Sequence, residues 1–195
     1  QYDLKVRGEF SNFKISITLP NAVISHELDF STAENGVSLG AFAGQVLPLI
    51  DQLSFALHGR EEVACQRGCQ HCCFQLVTIS APEALHLHDT LANLPEECRQ
   101  QICDRFTTCM DEIDAATLRE TLLHLADNLL EECDHYAVAE RYFKQRIACP
   151  FLEDGCCLIY QNRFATCREY AVQTPASRCP DPFAHEVQSL RLPLS

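Results

Sequence analysis

The chain has 195 residues, 47% of them hydrophobic, and a formal net charge of −12 from 15 Lys+Arg against 27 Asp+Glu. That length holds one domain of ordinary size or a domain with a small appendage, and the hydrophobic fraction excludes wholesale disorder. The acidic excess speaks against a nucleic-acid partner, because phosphate would be repelled, and no apolar run reaches the roughly 20 residues that span a bilayer.

Residues 1–36 read as a β-rich segment. Tyr2, Leu4 and Val6 alternate with polar residues, and Phe13, Ile15, Ile17 and Leu19 do so again. Ser11-Asn12 supplies a turn between them, and 21–30 offers a third strand before a loop at 31–36. From Val37 to Gly59, apolar residues recur at three and four (Leu39, Phe42, Val46, Ile50, Leu53, Leu57), which predicts a helix that Pro48 bends or begins. Residues 74–80 read as a short extended piece. Ser80 with Pro82 and Glu83 forms a helix-start signature, Glu83 reaching back to the capping N–H, so a helix is expected over 81–93. Pro95 opens another to about 113. Asp114 caps a third, carrying Leu118, Leu122, Leu125 and Leu129, and a fourth covers 135–146. Beyond it the chain is irregular, with a short helix near its end. The expected class is α+β: the β-rich segment at 1–36, a mostly helical body over 37–195, and a Cys-rich metal site joining two distant stretches.

Sulfur is the anomaly in the composition. Three readings compete for the 13 Cys: disulfides, small apolar core residues and metal ligands. The odd number cannot all pair within one chain. The start, QYDLKVRGEF, lacks the basic-then-apolar layout of a signal peptide, so a reducing, cytoplasmic setting is expected and disulfides are not the main explanation. Cys98, Ile102, Phe106, Cys109 and Ile113 follow four-four-three-four spacing, a single apolar stripe. Cys98 and Cys109 lie about 16 Å apart along such a helix and Cys103 diverges from Cys98 by about 140°. These three, with Cys133 continuing the stripe of Ala126, Leu129 and Leu130, are expected to be core residues.

CQRGCQHCC at 65–73 is different, for it places four thiols in nine residues of a polar segment. Steps of three or four let a tight turn aim sulfurs at one point, as structural zinc and iron–sulfur sites require. Gly68 permits the backbone angle such a turn needs. The adjacent Cys72 and Cys73 are expected to point different ways. A second group, Cys149, Cys156, Cys157, Cys167 and Cys179, stands at turns and element ends, including the turn Asp154-Gly155. Arg163 and Arg168 are placed to offset thiolate charge.

Taken together, CQRGCQHCC at 65–73, CPFLEDGCCLIY at 149–160, RFATCREY at 163–170 and the late Cys179 resemble the YkgJ-type cysteine-cluster proteins. That group is described as chelating zinc or iron and includes the flagellin lysine N-methylases. Its pattern has a Cys-rich knot, then Cys-Pro-apolar-Leu, Gly-x-Cys-x-Ile-Tyr, and Arg-Pro-x-x-Cys-Arg-x-Tyr or Phe. The likeness covers about residues 62–182 and none of the N-terminal strands. It implies ligand roles for Cys65, Cys69, Cys72, Cys73, Cys149, Cys157, Cys167 and Cys179, and a variable slot for Cys156. Phe164 stands where the family has Pro, which loosens the turn but removes no ligand.

The expected function is therefore metal binding, through a Cys-ligated 4Fe-4S iron–sulfur cluster or zinc. Eight thiols at four per centre permit two sites, or one site with thiols to spare. The alternatives are a cluster-dependent enzyme that modifies a protein or peptide substrate by methyl transfer, and a zinc-stapled interaction module. His71, inside the first group, is a candidate ligand or a donor to sulfur. No Gly-rich loop follows a strand and opens a helix, and the sequence holds no P-loop, nucleophile elbow or HExxH pair.

Overall fold

The structure is a computed structural model that describes residues 3–9, 12–19, 22–30, 37–58, 63–66, 68–127, 132–183 and 187–190. The N-terminal alternation forms three antiparallel strands, β1 (Asp3–Glu9), β2 (Asn12–Thr18) and β3 (Val23–Asp29), with β2 in the middle. The register pairs Phe13 with Leu28 and Ile17 with Ile24, so the apolar positions of β2 and β3 fall on one face. Ser11 and the loop expected at 31–36 lie outside the described residues, while Asn12 is the first residue of β2 rather than part of a turn.

That face needs a cover, and α1 (Leu39–His58) supplies it. Ile17, Leu19 and Ile24 share a buried cluster with Leu49 and Leu53 of the helix. Each such side chain contributes about 1.5–3 kcal/mol when fully buried. The join is also polar: the Gln45 side-chain amide makes both bonds to Asp29, accepting from its N–H at 2.7 Å and donating to its carbonyl at 2.5 Å. His26 Nε2 meets the Gln45 carbonyl at 2.6 Å. Pro48 lies inside α1, so it does not mark the start of that helix.

On its other side α1 meets α2 (Ala81–Ala92) through glycine: a Cβ on Gly40 would stand 3.0 Å from the backbone of Leu85 and His86. The start of α2 follows the capping signature, with the Ser80 N–H donating to Glu83 Oε2 at 2.9 Å. Next come α3 (Glu96–Ala115), α4 (Arg119–Ala126) and α5 (Glu132–Lys144). Asp114 does not cap α4: it sits in the last turn of α3, where its carboxylate pairs with Arg119. The third helix therefore starts at Arg119, after Thr117 turns the chain with φ +54° and the fully buried Leu118 anchors it. Leu129, Leu130 and the side chain of Cys133 fall outside the described residues.

The last third is built from short pieces. β4 (Leu152–Glu153) and β5 (Cys156–Cys157) make a hairpin, α6 (Ala165–Glu169) follows, and β6 (Ala171–Val172) pairs antiparallel with β7 (Ser189–Leu190). Asp154 (φ +48°) and Gly155 (φ +76°) take the paired positive angles that a two-residue hairpin turn prefers, and Asp-Gly is among the sequences best suited to it. Of the stretch 74–80, expected as an extended piece, Phe74 ends a 3-10 turn and the rest belongs to no strand. Beneath the hairpin, Ile102, Phe151, Ile159 and Phe164 form a second buried cluster, against which Cys98, Cys149 and Cys157 pack. The class is thus a mostly helical α+β fold.

Candidate metal centre

Between the two cysteine-rich stretches the chain runs out through α2, α3, α4 and α5 and returns. Four hydrogen bonds lace the stretches together. Ala64 N–H donates to the Val172 carbonyl at 2.7 Å, and Cys149 N–H to the Cys73 carbonyl at 2.8 Å. The Gln75 amide donates to the Tyr170 hydroxyl at 3.1 Å, and the Thr166 hydroxyl to the Thr78 carbonyl at 3.4 Å. A fifth approach comes from the hairpin: a Cβ on Gly155 would lie 3.6 Å from the Gly68 carbonyl.

Each sulfur is presented by backbone that is not part of a long regular element. Gly68 turns the first stretch with φ +87°, a value other residues resist, and Cys72 and Cys73 sit on a single 3-10 turn, His71–Phe74. Cys157 lies on β5 beside Cys156, and successive strand residues face opposite ways, so Cys157 is half-buried while Cys156 is exposed. Cys167 rides on α6, and Cys179 follows a 3-10 turn at Ala176–Arg178. Phe164 precedes α6 with φ −67°, close to the angle proline imposes, and its buried ring packs on Phe151 at 6.1 Å. The loosened turn expected at Phe164 is not seen: the residue holds a proline-like angle and its ring anchors the turn.

The thiols lie within one another's electrostatic reach and form two neighbourhoods. In the first, burial pushes Cys65 up, and Cys69 and Cys72 add to the rise. Burial likewise raises Cys179, with Cys69, Cys65 and Cys72 contributing. In the second, burial takes Cys149 to about 11, with Cys157, Cys109 and Cys72 adding to it. It takes Cys167 to about 12, with Cys149, Cys72 and Cys157 adding. Cys157 is raised by burial and by Cys72. Cys72 belongs to both sets. Its sulfur accepts a hydrogen bond from Cys73, which brings it down to about 7 against the opposing effect of burial. Cys73, the donor, is pushed up by that bond, then by burial and by Cys72, Cys149 and Cys157.

Backbone amides are aimed at three of these sulfurs: those of Val172 at Cys65, Phe151 at Cys149 and Ile159 at Cys157. An N–H donated to sulfur favours the thiolate, the form that binds metal. Cys65, Cys72 and Cys167 are nevertheless exposed, although neighbouring protein partly desolvates them. The donor set has the chemistry that thiophilic iron or zinc requires. Among the described residues no group of three or more His, Cys, Asp or Glu side chains is placed to hold a metal ion, so the joined Cys-rich site expected from the sequence is not shown. The twelve described cysteines are all free thiols.

Of the arginines expected to offset this charge, only Arg163 does so in the main. Its field lowers Cys72, Cys157 and Cys167. Arg168 is buried, donating to the carbonyls of Arg163 and Gln161 at 2.7 and 2.6 Å and pairing with Asp51 of α1. The helical cysteines divide. Cys98 packs on the second core cluster as expected, but Cys103 is exposed, because α3 is covered on one side only and Cys103 is next to Ile102, at its most buried point. Cys109 was sorted with the core; it is half-buried, and its Sγ donates to the Ala148 carbonyl at 3.1 Å, beside Cys149. Burial raises the neighbouring Tyr142 hydroxyl to about 12, with Cys109 and Cys149 adding. Helical spacing gave no sign of this ninth thiol, because what brings it close is the return of the chain at 148–149.

Among the described residues no helix is long and apolar enough to cross a membrane. No family model, no curated protein and no solved structure matches the chain.

Proposed function

We propose that this chain binds metal through cysteine, as an iron–sulfur cluster of the 4Fe-4S type or as Cys-ligated zinc, in the reducing cytoplasm. The observation that carries the reading is that Cys73 and Cys149, 76 positions apart in sequence, are hydrogen-bonded through their backbones and stand among thiols that raise one another's pKa. A cluster of neutral thiols has little to gain from such crowding, whereas a bound cation neutralises the thiolates and turns repulsion into ligation. Cys65, Cys69 and Cys179 would serve one centre, and Cys73, Cys149, Cys157 and Cys167 a second, with Cys72 between them.

When bound, iron–sulfur or zinc would supply electron transfer or Lewis acidity, and the chain's own residues would hold it and tune it: amides of Val172, Phe151 and Ile159 toward sulfur, Arg163 against the negative charge. The resemblance to the cysteine-cluster proteins and the lysine N-methylases points the same way. Cys65, Cys72 and Cys167 are exposed, which favours a site that meets a protein or peptide substrate over a closed zinc staple. Anaerobic purification followed by iron, zinc and acid-labile sulfide analysis tests the reading. Brown protein with sulfide selects the cluster, colourless protein with stoichiometric zinc selects zinc, and protein holding neither overturns it.

A further inference from the structure

The geometry points to Asp51, on the N-terminal helix outside the cysteine-rich stretches, as a positioning residue for this metal centre. The inference rests on the metal-binding reading and goes beyond it by placing part of the centre's support on α1. Asp51 lies more than 100 residues from its two partners. One carboxylate oxygen accepts from Arg163 at 2.8 Å, and the other pairs with Arg168. The two arginine side chains retain only 18% and 3% exposure. Arg168 is fully occupied, between Asp51 and the carbonyls of Arg163 and Gln161. Arg163 is fixed as well: its Cζ lies 4.1 Å over the Tyr160 ring, and it donates to the Tyr160 carbonyl at 3.3 Å.

The charge at this fork does not balance. Two guanidiniums against one carboxylate leave one positive charge over, on side chains that flank Cys167: Arg168 is its neighbour in α6 and Arg163 stands four residues before it. A partly buried, unbalanced cation needs an anion nearby, and thiolates bound to metal provide one. Asp51 thus does two things: it holds α6, which carries Cys167, against α1, and it sets where the Arg163 charge stands relative to sulfur. Groups that orient ligands without touching the metal typically change affinity about 10- to 100-fold when removed.

The test is a double-mutant cycle on metal affinity, read by chelator competition with zinc or by cluster half-life in air, on the full chain. Asp51→Asn should weaken retention about tenfold or more, Asp51→Glu should recover much of it, and Arg163→Gln should match Asp51→Asn. The combination should cost less than the sum of the two single changes, since Asp51 and Arg163 share one ion pair. Additive losses, or an Asp51→Asn protein with unaltered retention, would overturn the inference while leaving metal binding intact. A wild-type protein that holds no metal would instead overturn the reading beneath it. If Asp51→Asn fails to fold, Arg163→Gln decides alone: unaltered retention in a folded variant overturns the inference.

Discussion

Cysteine stands in two settings in this molecule, the helix α3 and the broken backbone around Cys72. On α3 the amides beyond the first turn are consumed by the helical ladder and each residue advances about 1.5 Å, so the thiols disperse. Cys98 meets the core, Cys103 meets solvent and Cys109 donates to a carbonyl. Around Cys72 the chain is made of 3-10 turns, a two-residue hairpin and a five-residue helix. There the thiols come within one another's electrostatic reach, and amides that no ladder uses point at Cys65, Cys149 and Cys157. Regular structure spreads thiols out; interrupted structure collects them and supplies the donors that hold their charge.

The strongest perturbation of both settings at once is Ile102→Ala. Ile102 is completely buried under the hairpin, in the cluster that touches Cys98, Cys149 and Cys157. Its truncation should cost about 2–5 kcal/mol. Urea unfolding should show that loss with and without chelator; a loss seen only in one state would mean that Cys98, Cys149 and Cys157 do not pack on this core as described.

Cys157→Ser separates the two settings. A metal held at a hundred times its Kd stabilises by about 2.7 kcal/mol, or roughly 5–10 °C of Tm for a chain of this size. The variant should lose metal and melt where chelated wild-type protein melts, and added chelator should move it no further. Cys69→Ser should behave alike, whereas Cys98→Ser should change stability and retain metal. Identical behaviour of all three would dissolve the distinction.

Glu83 gives a smaller effect with a defined pH dependence. Burial raises its carboxyl, but hydrogen bonds from the Ala165 and Ser80 amides and the Ser80 hydroxyl outweigh this and hold it below its ordinary value. It therefore ties the start of α2 to α6, its Oε1 accepting from Ala165 at 2.8 Å. Because the folded pKa is depressed, its contribution is complete above the unfolded value of about 4.3 and is lost as pH falls through the folded one. Glu83→Gln should be less stable by about 1 kcal/mol at neutral pH, and the difference should shrink on acidification below about pH 4. A difference constant down to pH 2 would contradict that bond network. Least of all, Cys103→Ser should alter stability by under about 0.5 kcal/mol and leave metal content unchanged, as expected of an exposed helical position.

What was legible in the sequence was local. The alternation in 1–30 wrote the three strands, Ser80 and Glu83 wrote the start of α2, and Asp154-Gly155 wrote the hairpin turn, because each rests on atoms a few residues apart. Asp114 was misread because Asp is as suitable for pairing with Arg119 as for capping, and only the positive φ of Thr117 decides between the two. Cys103 was misplaced because periodicity gives a stripe's direction but not its width. The fork at Asp51 and the approach of Cys109 to Cys149 were invisible for another reason: both join residues 40 or more positions apart, and no spacing rule spans such a gap.

The central claim is that sulfurs from residues 65–73 and 149–179 share the task of holding metal. Alkylation of the anaerobically prepared protein, read cysteine by cysteine in a mass spectrometer with and without chelator, tests it directly. Cys65, Cys69, Cys72, Cys73, Cys149, Cys157, Cys167 and Cys179 should be protected until the metal is removed, while Cys103 and Cys156 react equally in both states. Protection confined to one stretch, or labelling indifferent to the chelator, would contradict it.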